Sequence, residues 1–217
     1  MSKIRVIDRM SYYMIVKDNV KSPIFLKGVI HESFDETKYN EGMGYEWNKI
    51  FFQKQEMPKD LWLITNNKIE FDYYEGFNGH IISSDFITLM NQVNTLLKYV
   101  TSNLQIVSSK GKSKVKKPYY FIKYYNREDF VDYEKSEFTK RRVPENGVFD
   151  INVTVEKYQK IVLQENDRDV FCLNDLKLAR YLFCSERFKL LCEEKQMKGI
   201  QFLELEDVPQ YFSSYDR

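Results

Sequence analysis

One short pattern occurs twice in this chain and governs what it can fold into. His80-Ile81-Ile82-Ser83-Ser84-Asp85 and Tyr181-Leu182-Phe183-Cys184-Ser185-Glu186 each bring an apolar strand end onto a serine and an acid, just before an amphipathic stretch. A serine at a helix start accepts a hydrogen bond from a backbone N–H that has no partner within the helix. The acid then lies at the positive end of the helix dipole. In the first copy Phe86, Met90, Val93, Leu97 and Val100 recur at helical period. That predicts a helix from about Asp85 to Tyr99 with Ser84 as its N-cap. In the second copy Phe188, Leu191, Cys192 and Lys195 share a face, with Leu190 beside them. Gly199 is a natural C-cap, and Ile200–Leu205 returns as a strand. With few identities between the copies, this reads as a weak repeat of strand–helix–strand units.

The rest of the chain favours sheet. It has 16 Phe, 16 Tyr and 2 Trp but only eight Gly and five Pro, and aromatic rings pack well on a pleated surface. Strands are expected at Ser11–Val16, Leu61–Ile64, Lys68–Tyr73, His80–Ser83, Leu104–Val107, Pro118–Tyr125, Val148–Val155, Tyr158–Gln164 and Val170–Leu173. The expected class is therefore α+β, a mainly antiparallel sheet with a few amphipathic helices. Pro58 suggests a boundary between a strand-and-loop lobe at 1–58 and a domain at 59–217, with one unit over 1–217 as the alternative. No apolar run approaches the ~20 residues that span a bilayer. The N-terminus lacks the apolar core of a signal peptide, so no membrane role and a cytoplasmic location are expected.

The chain carries fragments of chemical signatures but none complete. Gly111-Lys112-Ser113 ends like a phosphate-binding loop, but Ile106 stands where the earlier glycine belongs and a strand follows where a helix should. Gly42-Met43-Gly44 begins a dinucleotide fingerprint, but Trp47 occupies the third glycine position. Cys172, Cys184 and Cys192 have no zinc or redox spacing, and a Cys184–His80 dyad is disfavoured against buried thiols. Asp167-Arg168-Asp169 could grip a metal only with ligands from elsewhere, and Glu193-Glu194 and Glu204, Glu206, Asp207 read as solvated faces rather than metal cages. The expectation is no catalytic residue, no metal and no cofactor.

With 33 Lys plus Arg against 32 Asp plus Glu, the net charge is +1, so recognition must come from patches. The sharpest patch is 108–117, with five lysines and no acid, followed by Tyr119, Tyr120, Phe121, Tyr124 and Tyr125. Lysines beside aromatics suit single-stranded nucleic acid. Consecutive strand residues, however, send alternate rings to opposite faces, so at least half belong to a core. A single-stranded nucleic-acid module built on 110–117 is the second functional reading.

The first reading comes from a resemblance. Val170-Phe171-Cys172-Leu173, Tyr181–Phe188 and Lys198-Gly199-Ile200-Gln201-Phe202, with Ile82–Asp85 and Tyr119–Ile122 upstream, resemble a family of immunity proteins of bacterial polymorphic-toxin systems. The likeness spans roughly residues 60–207. It implies a protein that binds and neutralises a cognate toxin domain without catalysis, and it carries over no contact residue. From the residues themselves, the irregular aromatic and acidic stretch Tyr39, Glu41, Tyr45, Glu46 and Trp47 is the candidate toxin-binding segment, because irregular segments commonly carry recognition. The competing reading is that Tyr45 and Trp47 cover the core.

Overall fold

The computed structural model describes residues 11–18, 20, 26–35, 45–48, 57–95, 97–140 and 155–215. Along them run strands β1 (Tyr12–Lys17), β2 (Val29–His31), β3 (Asp60–Ile64), β4 (Tyr73–Gly76) and β5 (Gly79–Ser83). Then come helix α1 (Ser84–Met90) and strands β6 (Tyr99–Val107), β7 (Tyr119–Tyr124), β8 (Glu137–Lys140), β9 (Val155–Lys160), β10 (Val170–Cys172) and β11 (Leu182–Ser185). Helix α2 (Glu186–Glu194), strand β12 (Ile200–Glu204) and helix α3 (Val208–Tyr215) complete the order. The class is α+β. The sheets are antiparallel except where β3 runs parallel to β6.

The repeat is real, and its halves are wired differently. One sheet has the order β2-β3-β6-β7-β5-β4 and the other β10-β11-β1-β12. The quartets β4-β5-β7-β6 and β10-β11-β1-β12 match strand for strand. Ser83 pairs with Tyr119, and Ser185 pairs with Tyr12. Likewise, the N–H of Ser84 donates to Pro118 O and that of Glu186 to Ser11 O. Thus β1, from the chain's beginning, holds the place in the second unit that β7 holds in the first. The second unit is a permuted copy, closed by a strand more than 150 residues away in sequence. Residues before 59 also supply β2, at the edge of the first sheet. The lobe boundary expected at Pro58 therefore falls between strands of one sheet.

The equivalence corrects the alignment by one residue. The N-caps are Ser83 and Ser185, whose hydroxyls accept from the N–H groups of Phe86 and Phe188. Ser83, not Ser84, is the cap. In this register Ser83, Phe86 and Leu89 match Ser185, Phe188 and Leu191. The rings of Phe86 and Phe188 meet edge to face at 5.8 Å. They sit in a core shared by the two units, which also takes Tyr73, Ile82, Ile122 and Tyr124 from one side and Ile15, Val170, Leu182 and Cys184 from the other.

A reciprocal clasp ties the units together. Asp72, just before β4, accepts from the Ser83 hydroxyl and from the backbone N–H of Lys198, beyond α2. Asp169, just before β10, accepts from the Ser185 hydroxyl and from the N–H of Asn94, beyond α1. Backbone bonds from Asp72 N to Lys198 O and from Asp169 N to Asn94 O complete it. This clasp explains why α1 stops at Met90 rather than reaching Tyr99. The backbone after it is claimed by the partner unit, and Thr95 bridges to Val170. It also explains why Lys68–Asp72 is not a strand, although Ile69 and Phe71 are buried. Only Val93 and Leu97 of the expected stripe beyond Met90 reach the shared core, and Val100 packs elsewhere from β6.

Each sheet has a second buried face. Trp47, Leu26, Ile69 and Phe71 cover the first against Leu61, Leu63, Ile81, Leu104 and Phe121. Val208 of α3, Leu178, Val131 and Tyr158 cover the second against Met14, Val16, Phe171 and Phe183. Strands buried on both faces lose their alternation, as the fully buried Tyr12–Val16 shows. The expected strand at Val148–Val155 lies outside the described residues except for Val155, where β9 begins. The strand expected at Tyr158–Gln164 is β9, shifted towards the N-terminus. Helix α3 was not expected, although the acids Glu206 and Asp207 ahead of Pro209 are a helix-start signal.

Candidate functional site

The lysine loop is the connection between β6 and β7. Ser108 N–H donates to Lys112 O, Gly111 N–H to Ser108 O, and Lys114 N–H to Ile106 O. These bonds bend the segment back along β6 and carry Lys114, Lys116 and Lys117 to one side. There they meet two other segments. One is the stretch before the clasp, with Lys68 and Glu70; the other is the bend after α2, with Lys195, Gln196, Met197 and Lys198. The result is a groove of about 660 Å³, lined by six lysines and by the carboxylates of Glu70, Asp72 and Asp85. Its floor is apolar. Ile69, Leu89 and Tyr119 are buried there, and Met197 is half-buried.

The charges in the groove are unevenly committed. Lys117 bridges Asp72 and Asp85, the latter at 2.7 Å. Burial works to lower its pKa, but the hydrogen bonds and charges of the two aspartates outweigh that and the net shift is upward. Lys68 pairs with Glu70 at 2.7 Å. That hydrogen bond chiefly holds the Glu70 carboxyl below its usual range, with help from the charges of Lys198 and Lys116. Lys114 donates to Asn66 O. Lys116 and Lys198 are exposed and form no ion pair with a described residue. Tyr119 in the floor donates to Phe71 O at 2.6 Å, and burial pushes its hydroxyl up to about 12.

The aromatic strand beyond the loop offers no open row of rings. Tyr119, Phe121 and Tyr124 are buried, and Tyr120 and Tyr125 are half-buried. The stacking half of the nucleic-acid reading therefore has no platform.

Of the candidate toxin-binding segment, Tyr39 and Glu41 lie outside the described residues. Tyr45 is half-buried, and Glu46 and Trp47 lie in a 3-10 turn, Glu46–Asn48. Trp47 is 4% exposed. Its indole donates to Glu32 Oε1 at 2.8 Å and meets Phe121 edge-on, and Tyr45 stacks on it at 5.2 Å. Its carbonyl accepts from the buried Lys123 ammonium at 2.9 Å. Burial lowers that ammonium to about 8. Trp47 is thus part of the first sheet's cover, and the half-buried Tyr45 lies on it, its hydroxyl accepting from Glu32 N–H at 3.3 Å and lying 3.4 Å from His31 Nδ1.

The groups with intrinsic reactivity are placed as framework. The three cysteines are buried free thiols, and burial raises Cys172 and Cys192 to about 12. His80 is buried, with Nδ1 3.0 Å from the Tyr73 hydroxyl, and burial lowers it to about 3. Asp169 belongs to the clasp. Among the described residues, no group of three or more His, Cys, Asp or Glu is arranged to hold a metal ion, and no helix is long and apolar enough to cross a membrane.

The profile of the immunity protein 43 family matches residues 14–216. The chain belongs to that family. The match begins inside β1 and takes in the whole of α3, so the immunity protein 43 unit includes both halves of the permuted repeat. It also takes in the N-terminal segment, which the sequence motifs at 60–207 did not reach. No curated protein matches the chain. As an immunity protein of a polymorphic-toxin system, the molecule presents the lysine groove as a solvent-open, densely charged feature of its described surface. Lys114, Lys116 and Lys117 were visible as a run. Lys68, Lys195 and Lys198 were not, because three distant segments converge only through the clasp.

Proposed function

We propose that this protein neutralises its cognate toxin by direct, non-catalytic binding. Membership of the immunity protein 43 family is the observation that carries the reading. The described surface supports it, because buried thiols and a buried neutral histidine suit a framework, while open charged and aromatic edges suit docking. Within this reading the segment carrying Tyr39, Glu41, Tyr45, Glu46 and Trp47 contacts the toxin. Irregular polar–aromatic segments on a rigid sheet commonly serve this way. The partner is a protein toxin domain, and the protein acts in the cytoplasm of the cell it protects.

The test is co-expression with the toxin domain encoded beside its gene, followed by purification. Growth rescue together with a stable complex is the expected result. Rescue without a complex, accompanied by chemical change in the toxin, would show catalytic neutralisation instead. Absence of both rescue and complex refutes the pairing. Tyr45→Ala together with Glu46→Lys is expected to weaken the complex while leaving the fold intact.

A further inference from the structure

The groove between the lysine loop, α1 and the bend after α2 invites a more specific assignment. Its six lysines face three carboxylates, and two of those, Asp72 and Asp85, are already bridged by Lys117. Glu70 is held by Lys68. The surplus positive charge therefore rests on Lys114, Lys116, Lys195 and Lys198. Lys195 lies 3.9 Å from Glu194, both of them largely exposed, an arrangement that contributes little. The walls are lysine ammonium groups on flexible stems, and the floor is Ile69, Leu89, Tyr119 and Met197. Such a site rewards a ligand with carboxylates at its edges and an apolar side chain between them.

Nucleic acid fits this site less well. The adjacent strand offers no fully exposed ring for base stacking, and a phosphate backbone would leave the Ile69–Leu89–Met197 floor without an apolar partner. We infer that the groove is the docking site for an acidic segment of the partner toxin, one that places an apolar side chain on the Ile69–Leu89–Met197 floor between flanking carboxylates. This rests on the reading of the chain as a toxin-binding immunity protein and names the chemistry of one contact. The site has a built character, since two halves of the molecule make it jointly. The lysine loop and Asp72 come from the first unit, and Lys195–Lys198 from the second. The bond from the Lys198 backbone N–H to the Asp72 carboxylate, with the backbone bond from Asp72 N–H to Lys198 O, fixes the two halves against each other.

The experiment uses the full chain and a fluorescein-labelled oligoglutamate peptide with a central leucine. Fluorescence anisotropy is recorded at low and at physiological salt. The same peptide with glutamine in place of glutamate is the neutral control, and an oligothymidylate is the nucleic-acid control. The acidic peptide is expected to bind about tenfold tighter than the neutral one, and less tightly as salt rises. Lys116→Glu combined with Lys198→Glu changes two exposed side chains that form no ion pair with a described residue, and is expected to cost about tenfold in peptide affinity. Lys59→Glu, an exposed lysine outside the groove, is expected to leave binding unchanged. Equal binding of acidic and neutral peptides, equal loss with Lys59→Glu, or tighter binding of the oligothymidylate overturns the inference.

The toxin itself separates this inference from the functional reading. A double variant that still binds and neutralises toxin as the parent does overturns the groove and leaves immunity standing. A parent chain that binds the acidic peptide but neither binds the toxin nor rescues growth overturns the functional reading and leaves the groove as a site for acidic segments.

Discussion

Replacing Asp72 by alanine tests whether the clasp holds the two units together through hydrogen bonds or through its ion pair. The carboxylate accepts from the Ser83 hydroxyl at 2.6 Å and from Lys198 N–H at 2.8 Å, and also pairs with Lys117. Ser83 is fully buried and Asp72 is 4% exposed, so water cannot easily replace the lost acceptor. A buried donor left without its partner costs about 1–3 kcal/mol, and the half-buried Lys198 N–H adds about 1 kcal/mol. The Lys117 ammonium is 36% exposed on its side chain and keeps Asp85, so its share is below about 1 kcal/mol. Asp72→Ala should therefore cost about 2–4 kcal/mol, and Lys117→Ala under about 1 kcal/mol. Asp72→Asn keeps an acceptor oxygen and should fall between them. In Asp169→Ala the stranded donors are on the half-buried Ser185, the exposed Asn94 and the largely exposed Arg187, whose guanidinium pairs with Asp169 at 2.9 Å. It should cost only about 1–2 kcal/mol. Urea unfolding followed by circular dichroism gives each value, provided the transition is two-state with an unchanged slope. If Lys117→Ala costs as much as Asp72→Ala, the ion pair carries the clasp and this reasoning is wrong.

Three further outcomes are expected. Burial lifts Glu75 to about 7 despite its bond from Lys17 N–H at 2.7 Å, so the folded state holds that proton more tightly than the unfolded chain. Stability should then fall as pH rises from about 4.5 to about 7, and Glu75→Gln should remove that fall in pH-dependent urea titrations. His80 works in the opposite sense. Its folded value of about 3 makes stability rise with pH from about 3 to about 6.5, so the Glu75 effect must be read as the difference between variant and parent. Trp47→Ala removes a buried indole that supports Tyr45 and Phe121. Thermal unfolding should show a loss of about 3–5 kcal/mol, and a loss under about 1 kcal/mol would mean that Trp47 does not cover the core. The three cysteines, all buried, should resist an aromatic disulfide reagent in the native protein and react fully after unfolding; fast native labelling of any one would contradict their placement.

Much of the local structure was legible in the residues. The Ser185 cap, α2 and the strand after it follow from capping and hydrophobic period and stand as expected. Gly199 is not the C-cap expected of it: Lys195 caps α2, Gln196 takes the left-handed conformation at φ 53°, and the positive φ of Gly199 belongs to the bend before β12. The first copy was misread by one residue, because Ser83 and Ser84 are both competent caps. Only the packing of Phe86 on Phe188 selects Ser83. The helix was extended to Tyr99 because Val93 and Leu97 keep helical spacing and are in fact partly buried. The chain reaches the same core there by an irregular path imposed by Asp169.

What the sequence determined by itself is the class of elements. Aromatic-rich strands, two serine-capped helices and few glycines follow from short-range preferences that each segment carries alone. What only the tertiary structure decided is their partnership. That β1 closes the second unit, that Asp72 and Asp169 each clasp the other unit's chain, and that Lys68, Lys116 and Lys198 line one groove all depend on contacts between segments far apart in sequence. Such contacts leave no periodic mark in the chain, because one carboxylate meeting one distant N–H is a single event in space.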